Sequence, residues 1–228
     1  AFLKRLRAEG RWPHGVLGDQ LFESMSEELG GFVSKLQTLD LGDKLDSFAV
    51  DFQIGDYRLR GSLNCVYQNG NLLYRYARCK AKDQLYAWLN HLIYANAPDR
   101  SPATTSFLHM DGSWQFGAVD APEQNLLALL DAYRQAQTGL SPILSSAAVA
   151  YLERLKKPSS RSTKTPEEMA FEAYLKEIEY DAYYQQLYRN GDAQSLISSP
   201  AFALALEAIF KPMYEARQGI SFDSSIVA

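Results

Sequence analysis

The stretch Tyr57-Arg58-Leu59-Arg60-Gly61-Ser62-Leu63-Asn64-Cys65-Val66-Tyr67-Gln68-Asn69-Gly70-Asn71-Leu72-Leu73-Tyr74-Arg75-Tyr76-Ala77-Arg78-Cys79-Lys80-Ala81-Lys82 decides the fold. Two runs of β-favouring residues flank Gln68-Asn69-Gly70-Asn71, and Asn-Gly tolerates the positive φ of a type I′ turn. The stretch therefore reads as an antiparallel hairpin, with strands over Tyr57–Tyr67 and Leu72–Lys80. With Asn69 and Gly70 as the two turn residues, Asn64 faces Arg75, Ser62 faces Ala77 and Arg60 faces Cys79. Side chains two apart share a face, so Asn64, Arg75 and Ala77 gather on one side of the hairpin.

Working outward, Phe48, Val50, Phe52 and Ile54 alternate with Ala49, Asp51 and Gln53, the period of a half-buried strand, and Gly55-Asp56 turns it into the hairpin. Upstream, Leu21, Phe22, Met25, Leu29 and Phe32 mark a helix from Gly18 to about Leu36, which Gly30-Gly31 should break or bend. Downstream, Leu85, Trp88, Leu89 and Leu92 form one helical face, with Asp83 placed favourably near its N-terminus. Met110-Asp111-Gly112-Ser113 reads as a second hairpin turn. Asp120 is expected to cap a helix with Pro122 and Glu123 in its first turn and Leu126, Leu129, Leu130 and Tyr133 along its stripe. Lys156 to Lys164 is polar and basic, a tether; Thr165-Pro166-Glu167-Glu168 starts a tyrosine-rich helix expected to run to residue 189, and Ser199-Pro200 opens the last one. The order predicts an α/β fold: a mixed central sheet flanked by helices. Residues 1–155 form its core, and 156–228 form a helical extension packed on the same domain.

Between Tyr57 and Lys82 there are six cations and no Asp or Glu. Arg58, Arg60, Arg75, Arg78, Lys80 and Lys82, interleaved with Tyr57, Tyr67, Tyr74 and Tyr76, suit a phosphate-tracking groove with stacking platforms. By themselves they suit better a solvated sheet face over a tyrosine-lined core. Uncompensated cations on paired strands repel, so either an acidic surface nearby or a polyanionic partner is expected. The acidic helix from residue 166 carries more tyrosines than one buried face holds; Tyr174, Tyr180, Tyr183 and Tyr184 are candidates for a partner interface or for an exposed rim.

Nucleases of the PD-(D/E)XK type place an Asp on one strand and an acid-x-Lys triplet on the next, where the acids hold Mg²⁺ and the lysine orients the attacking water. Gly61-Ser62-Leu63-Asn64 resembles their Gly-x-x-Asp with Asn for the acid. Arg75-Tyr76-Ala77 resembles Asp-Tyr-Lys with Arg for the acid and Ala for the lysine, and Gln84 to Trp88 resembles the Gln-x-x-x-Tyr of the next helix. Trp12-Pro13-His14-Gly15-Val16-Leu17-Gly18 and the run from Tyr76 to Leu92 make the wider text similar to the C-terminal domain family of RecC, the gamma subunit of exodeoxyribonuclease V. The resemblance is clearest over residues 10–95. It implies a restriction-endonuclease-like fold whose catalytic positions are degenerate, so that this domain is not an enzyme although the assembled complex is an ATP-dependent exodeoxyribonuclease. It also implies RecB and RecD as partner subunits, single-stranded and forked DNA as ligand, a role in DNA repair and recombination, and a cytoplasmic location.

The rest of the sequence limits the rivals. At 228 residues with 46% hydrophobic and 22% charged residues, the chain can bury a core without disulfide or metal, and its net charge of −4 confines any nucleic-acid site to a local patch. Cys65 and Cys79 show no CxxC spacing, do not face each other in this register, and read as buried free thiols of a reducing compartment. His14, His91 and His109 lack ligand-like neighbours; no metal site, Gly-rich phosphate loop, Gly-x-Ser-x-Gly elbow or membrane span is visible, so no cofactor is expected. Phe2 to Arg7, with no initiating methionine, reads as mid-protein helix and suggests a fragment of a longer polypeptide. Two rivals stay open: a pure protein-interaction module, and an unrelated enzyme using Asp51, Asp111 or Asp120.

Overall fold

The computed structural model describes residues 2–97, 103–139, 141, 143–156, 163–187 and 193–220. Helices α1 (Phe2–Ala8) and α2 (Gly15–Gln37) precede strands β1 (Phe48–Ile54), β2 (Tyr57–Leu63), β3 (Val66–Tyr67) and β4 (Gly70–Arg75). Helix α3 (Ala81–Ala95) leads to β5 (Thr105–His109) and β6 (Gly112–Phe116), then α4 (Pro122–Ala136), α5 (Ser145–Lys156) and α6 (Pro166–Glu179). Short helices α7 (Ala182–Leu187), α8 (Ala193–Ile197) and α9 (Pro200–Ala205), a π-helical turn (Leu206–Phe210), α10 (Lys211–Ala216) and β7 (Arg217–Gly219) complete it.

The fold is mixed α/β. A five-stranded sheet runs β3-β4-β5-β6-β7, antiparallel except for β4 and β5, which are parallel because α3 carries the chain from one to the other. The expected three-stranded unit is divided: β1 and β2 form their own two-stranded sheet, and the chain bends at Asn64 before joining the larger one. The hairpin register also differs from the expected one. Tyr67 pairs with Gly70 and Val66 with Asn71, so Gln68 and Asn69 are the turn residues and Asn64 does not face Arg75. The reason lies at Gly70. It sits inside the strand, where a Cβ would meet the Thr104 carbonyl oxygen at 2.9 Å, so glycine serves close backbone approach here rather than a left-handed turn.

Trp88 and Leu92 of α3 are fully buried, against Phe116 of β6, Leu126 of α4, Ala147 of α5 and Phe210 of the π turn. A smaller cluster of Val50, Leu63, Val66 and Tyr94 fastens the β1–β2 sheet to α3, and the Tyr57 hydroxyl donates to Asp131 of α4 at 2.6 Å. His91 is buried in the main core, its ring stacked on Trp88, with Nδ1 3.0 Å from the Thr105 hydroxyl. Burial holds its pKa down at about 4, against the opposing pull of the Gly117 backbone.

The Met110-Asp111 hairpin forms as expected between β5 and β6. Helix α6 begins with a capping box: Thr165 Oγ1 accepts from the Glu168 N–H while the Glu168 carboxylate accepts from the Thr165 N–H. Elsewhere the ends differ. Helix α2 runs unbroken through Gly30-Gly31, and α4 is entered through Ala121 at φ 49°, with no side-chain cap from Asp120. The tyrosine-rich helix stops at Glu179 instead of continuing to 189. The last helix contains the π turn just before Pro212, which has no N–H for the α-helical ladder, and its end feeds β7 onto the edge of β6. Most of the basic tether, residues 157–162, lies outside the described residues. No helix among the described residues is long and apolar enough to cross a membrane.

Candidate nucleic-acid interface

The sequence candidates fall into three places. Arg58 and Arg60 lie on the solvent face of β2, where the ladder sets Asp51 opposite Arg60. Asp51 accepts from Arg58 at 2.8 and 3.1 Å and lies 3.6 Å from Arg60. The Arg58 hydrogen bond holds the Asp51 carboxyl below its usual range. The compensating carboxylate was present in the sequence: the Gly55-Asp56 turn fixes this pairing.

Arg75, Ala77, Arg78, Lys80 and Lys82 lie on the segment that leaves β4 and enters α3. Strand β4 ends at Arg75, so the alternation assumed through Lys80 does not extend there. Arg75 Nη1 donates to both carboxylate oxygens of Asp83 at 2.5 Å, and Asp83 also accepts from the Lys80 N–H at 2.9 Å. Ala77 offers its carbonyl to the Met110 N–H at 3.1 Å. The Asp111 carboxylate accepts from the Cys79 N–H at 2.9 Å and lies 2.6 Å from His109 Nδ1. These bonds tie the segment to the β5–β6 turn and leave Arg78, Lys80 and Lys82 exposed, in no salt bridge among the described residues. Cys79 is a free, half-buried thiol, pushed up to about 12 by burial and then by Asp83 and Asp111, and Cys65 is likewise half-buried rather than buried. Asn64 sits exposed at the bend between the two sheets, with Ser62 within 3.4 Å.

The tyrosine candidates part company. Tyr174 is a core residue, 1% exposed, whereas Tyr180 is 86% and Tyr183 79% exposed; the side chain of Tyr184 lies outside the described residues. Lys80 and Lys82 line a cleft of about 540 Å³ whose other wall includes Lys176 and Tyr180 at the end of α6. Lys176 had no signal in the linear sequence beyond its position four residues before Tyr180. Asp51, Asp111 and Asp120 do not converge, and no group of three or more His, Cys, Asp or Glu among the described residues is placed to hold a metal ion.

The profile of the RecC C-terminal domain family matches residues 1–156. The chain belongs to the RecC C-terminal domain family. A curated relative, the RecBCD enzyme subunit RecC of Escherichia coli (strain K12), is 24% identical over 152 residues. That alignment covers 66% of this chain and 13% of the relative, so the chain spans a small part of the protein it matches. The RecC-type match takes in both sheets apart from β7, and every cation of the 57–82 stretch; α6 with Lys176, and Tyr180 at its C-cap, lie beyond it.

Proposed function

We propose that this RecC-type domain is a non-catalytic, DNA-guiding and subunit-scaffolding part of a RecBCD-type helicase–nuclease acting in double-strand break repair and homologous recombination. RecB and RecD are the partner subunits on this reading, and single-stranded and forked DNA the ligand. The observation that carries it is the Arg75–Asp83 pair. At the place where a nuclease of the resembled frame offers a carboxylate to Mg²⁺, this chain has a guanidinium fastened to the first turn of α3. A hard dication needs anionic oxygen there, and a fixed positive charge opposes it.

The same fastening supports the DNA half of the reading. It anchors the base of a segment whose next three cations, Arg78, Lys80 and Lys82, reach solvent without a carboxylate partner among the described residues. Phosphate contacts of this kind give binding that falls steeply with salt. Arg58 and Arg60 share one carboxylate and contribute less.

The scaffolding half rests on α2. Leu17, Leu21, Met25, Leu29 and Val33 recur every fourth residue and are each exposed by 41% or more, an apolar stripe that the described residues leave open to solvent. Filter binding of single-stranded and forked DNA across a salt series, with pull-down of RecB and RecD from the same source, tests both halves. Salt-insensitive or absent DNA binding beside intact subunit capture leaves a protein-interaction module alone.

A further inference from the structure

The cleft between the start of α3 and the end of α6 joins two groups that the sequence set apart: Lys80 and Lys82 on one wall, Lys176 and Tyr180 on the other. We propose that it is a nucleotide subsite for a single strand, in which the lysines hold a backbone phosphate and the Tyr180 ring stacks on the attached base. The proposal rests on the DNA-guiding reading above and gives it a definite place.

Its volume, about 540 Å³, lies within the roughly 300–1,000 Å³ typical of ligand clefts, and its lining includes the small side chains of Ala81, Ser146 and Ala173. The charge arrangement gives it direction. Lys176 and the αR C-cap Tyr180 are four apart and so lie on one side of the end of α6, while Glu177, one residue round the helix, and Asp181, just past its end, also line the cleft. A phosphate avoids the Glu177 and Asp181 carboxylates and is drawn to the three amines that the two walls present. The exposed Tyr180 ring lines the same cleft as these amines and is offered to the attached base. The core does not need that ring: at 86% exposed it is left standing in solvent at the C-cap of α6. Base–aromatic stacking tolerates any base, which suits a strand that is guided rather than read. Tyr180 thus passes from a partner-interface candidate to a stacking platform.

The test is anisotropy titration of the 228-residue chain with a labelled oligothymidylate and with an abasic oligodeoxynucleotide of equal length, across a salt series. Tyr180→Ala should weaken oligothymidylate binding about fivefold or more, Tyr180→Phe should retain it, and neither should change binding of the abasic strand. The triple change Lys80→Ala, Lys82→Ala, Lys176→Ala should weaken both ligands and reduce the salt slope by about 0.7, the share of one phosphate. Glu177→Gln should strengthen both. If Lys176→Ala and Tyr180→Ala change nothing while Arg78→Ala weakens binding, the subsite is wrong and the DNA-guiding reading stands. If polyglutamate competes as well as the oligonucleotide, the cleft takes acidic peptide and the proposal falls. If the unmodified chain binds neither strand, the subsite and the DNA-guiding reading fall together.

Discussion

Arg75 at the end of β4 and Asp83 in the first turn of α3 are joined by two 2.5 Å hydrogen bonds, and Asp83 simultaneously caps α3 through the Lys80 N–H. One carboxylate therefore holds strand, connecting segment and helix together. Its side chain is 15% exposed and that of Arg75 41%, so the pair is only partly screened by water. Arg75→Ala leaves that carboxylate with the backbone donor alone and should cost about 1–3 kcal/mol, read from urea denaturation. Arg75→Asp should cost more, because it places two carboxylates together. The triple change Asn64→Asp, Arg75→Asp, Ala77→Lys should not create Mg²⁺- or Mn²⁺-dependent cleavage. Asn64 sits on the bend between the sheets instead of opposite residue 75.

His91 makes stability depend on pH. Its pKa in the folded chain is about 4 against an ordinary value of 6.5, so the unfolded chain binds the proton more readily. The stability this residue leaves intact is fully present above about pH 6.5 and is lost progressively as pH falls towards 4. The loss amounts to about 3 kcal/mol. His91→Phe, which keeps a ring beside Trp88 and Phe116, should flatten the pH dependence of the urea midpoint between pH 4 and 6.5. An unchanged slope would mean that His91 is not the titrating group. Asp51 and Asp111, whose carboxyls are held below their usual range, add losses of the same sign only at lower pH.

Asp51 restrains the two β2 arginines. Asp51→Asn should strengthen single-strand binding by the domain and raise its salt slope, since Arg58 and Arg60 no longer share a carboxylate. If the salt slope stays the same, β2 lies outside the DNA path and the cations beyond Arg75 carry the contact.

The α2 stripe separates scaffolding from folding. Leu21→Glu with Leu29→Glu changes residues already exposed, so thermal stability of the domain should shift by less than about 1 kcal/mol. Capture of RecB and RecD should fall tenfold or more if this face holds a subunit. Unaltered capture assigns the scaffolding contact to another surface.

Much of this architecture was legible in the sequence because local rules agree there. Alternation set β1, three-four spacing set α3, and Thr165-Pro166-Glu167-Glu168 set the start of α6 with its capping box. Gly70 misled because glycine permits a left-handed turn and close backbone contact alike, and only the tertiary neighbour Thr104 decides between them. That ambiguity moved the register and with it the face on which Asn64, Arg75 and Ala77 were to meet. Strand β7 was invisible because three residues, Arg217-Gln218-Gly219, carry no period of their own and are strand only by pairing with β6. The cleft was illegible for a like reason: nothing local links Lys80 to Tyr180, which meet only once α6 has packed on α5 beside the start of α3.

The most direct test is charge reversal of Arg78, Lys80 and Lys82 to Glu in the assembled complex, followed by duplex unwinding and subunit stoichiometry on the same sample. These residues are exposed and unpaired among the described residues, so folding should be spared. The account predicts a complex of normal composition whose unwinding and single-strand binding are weakened and whose salt dependence is reduced. A complex that fails to assemble, or one that assembles and unwinds DNA as before, would contradict it.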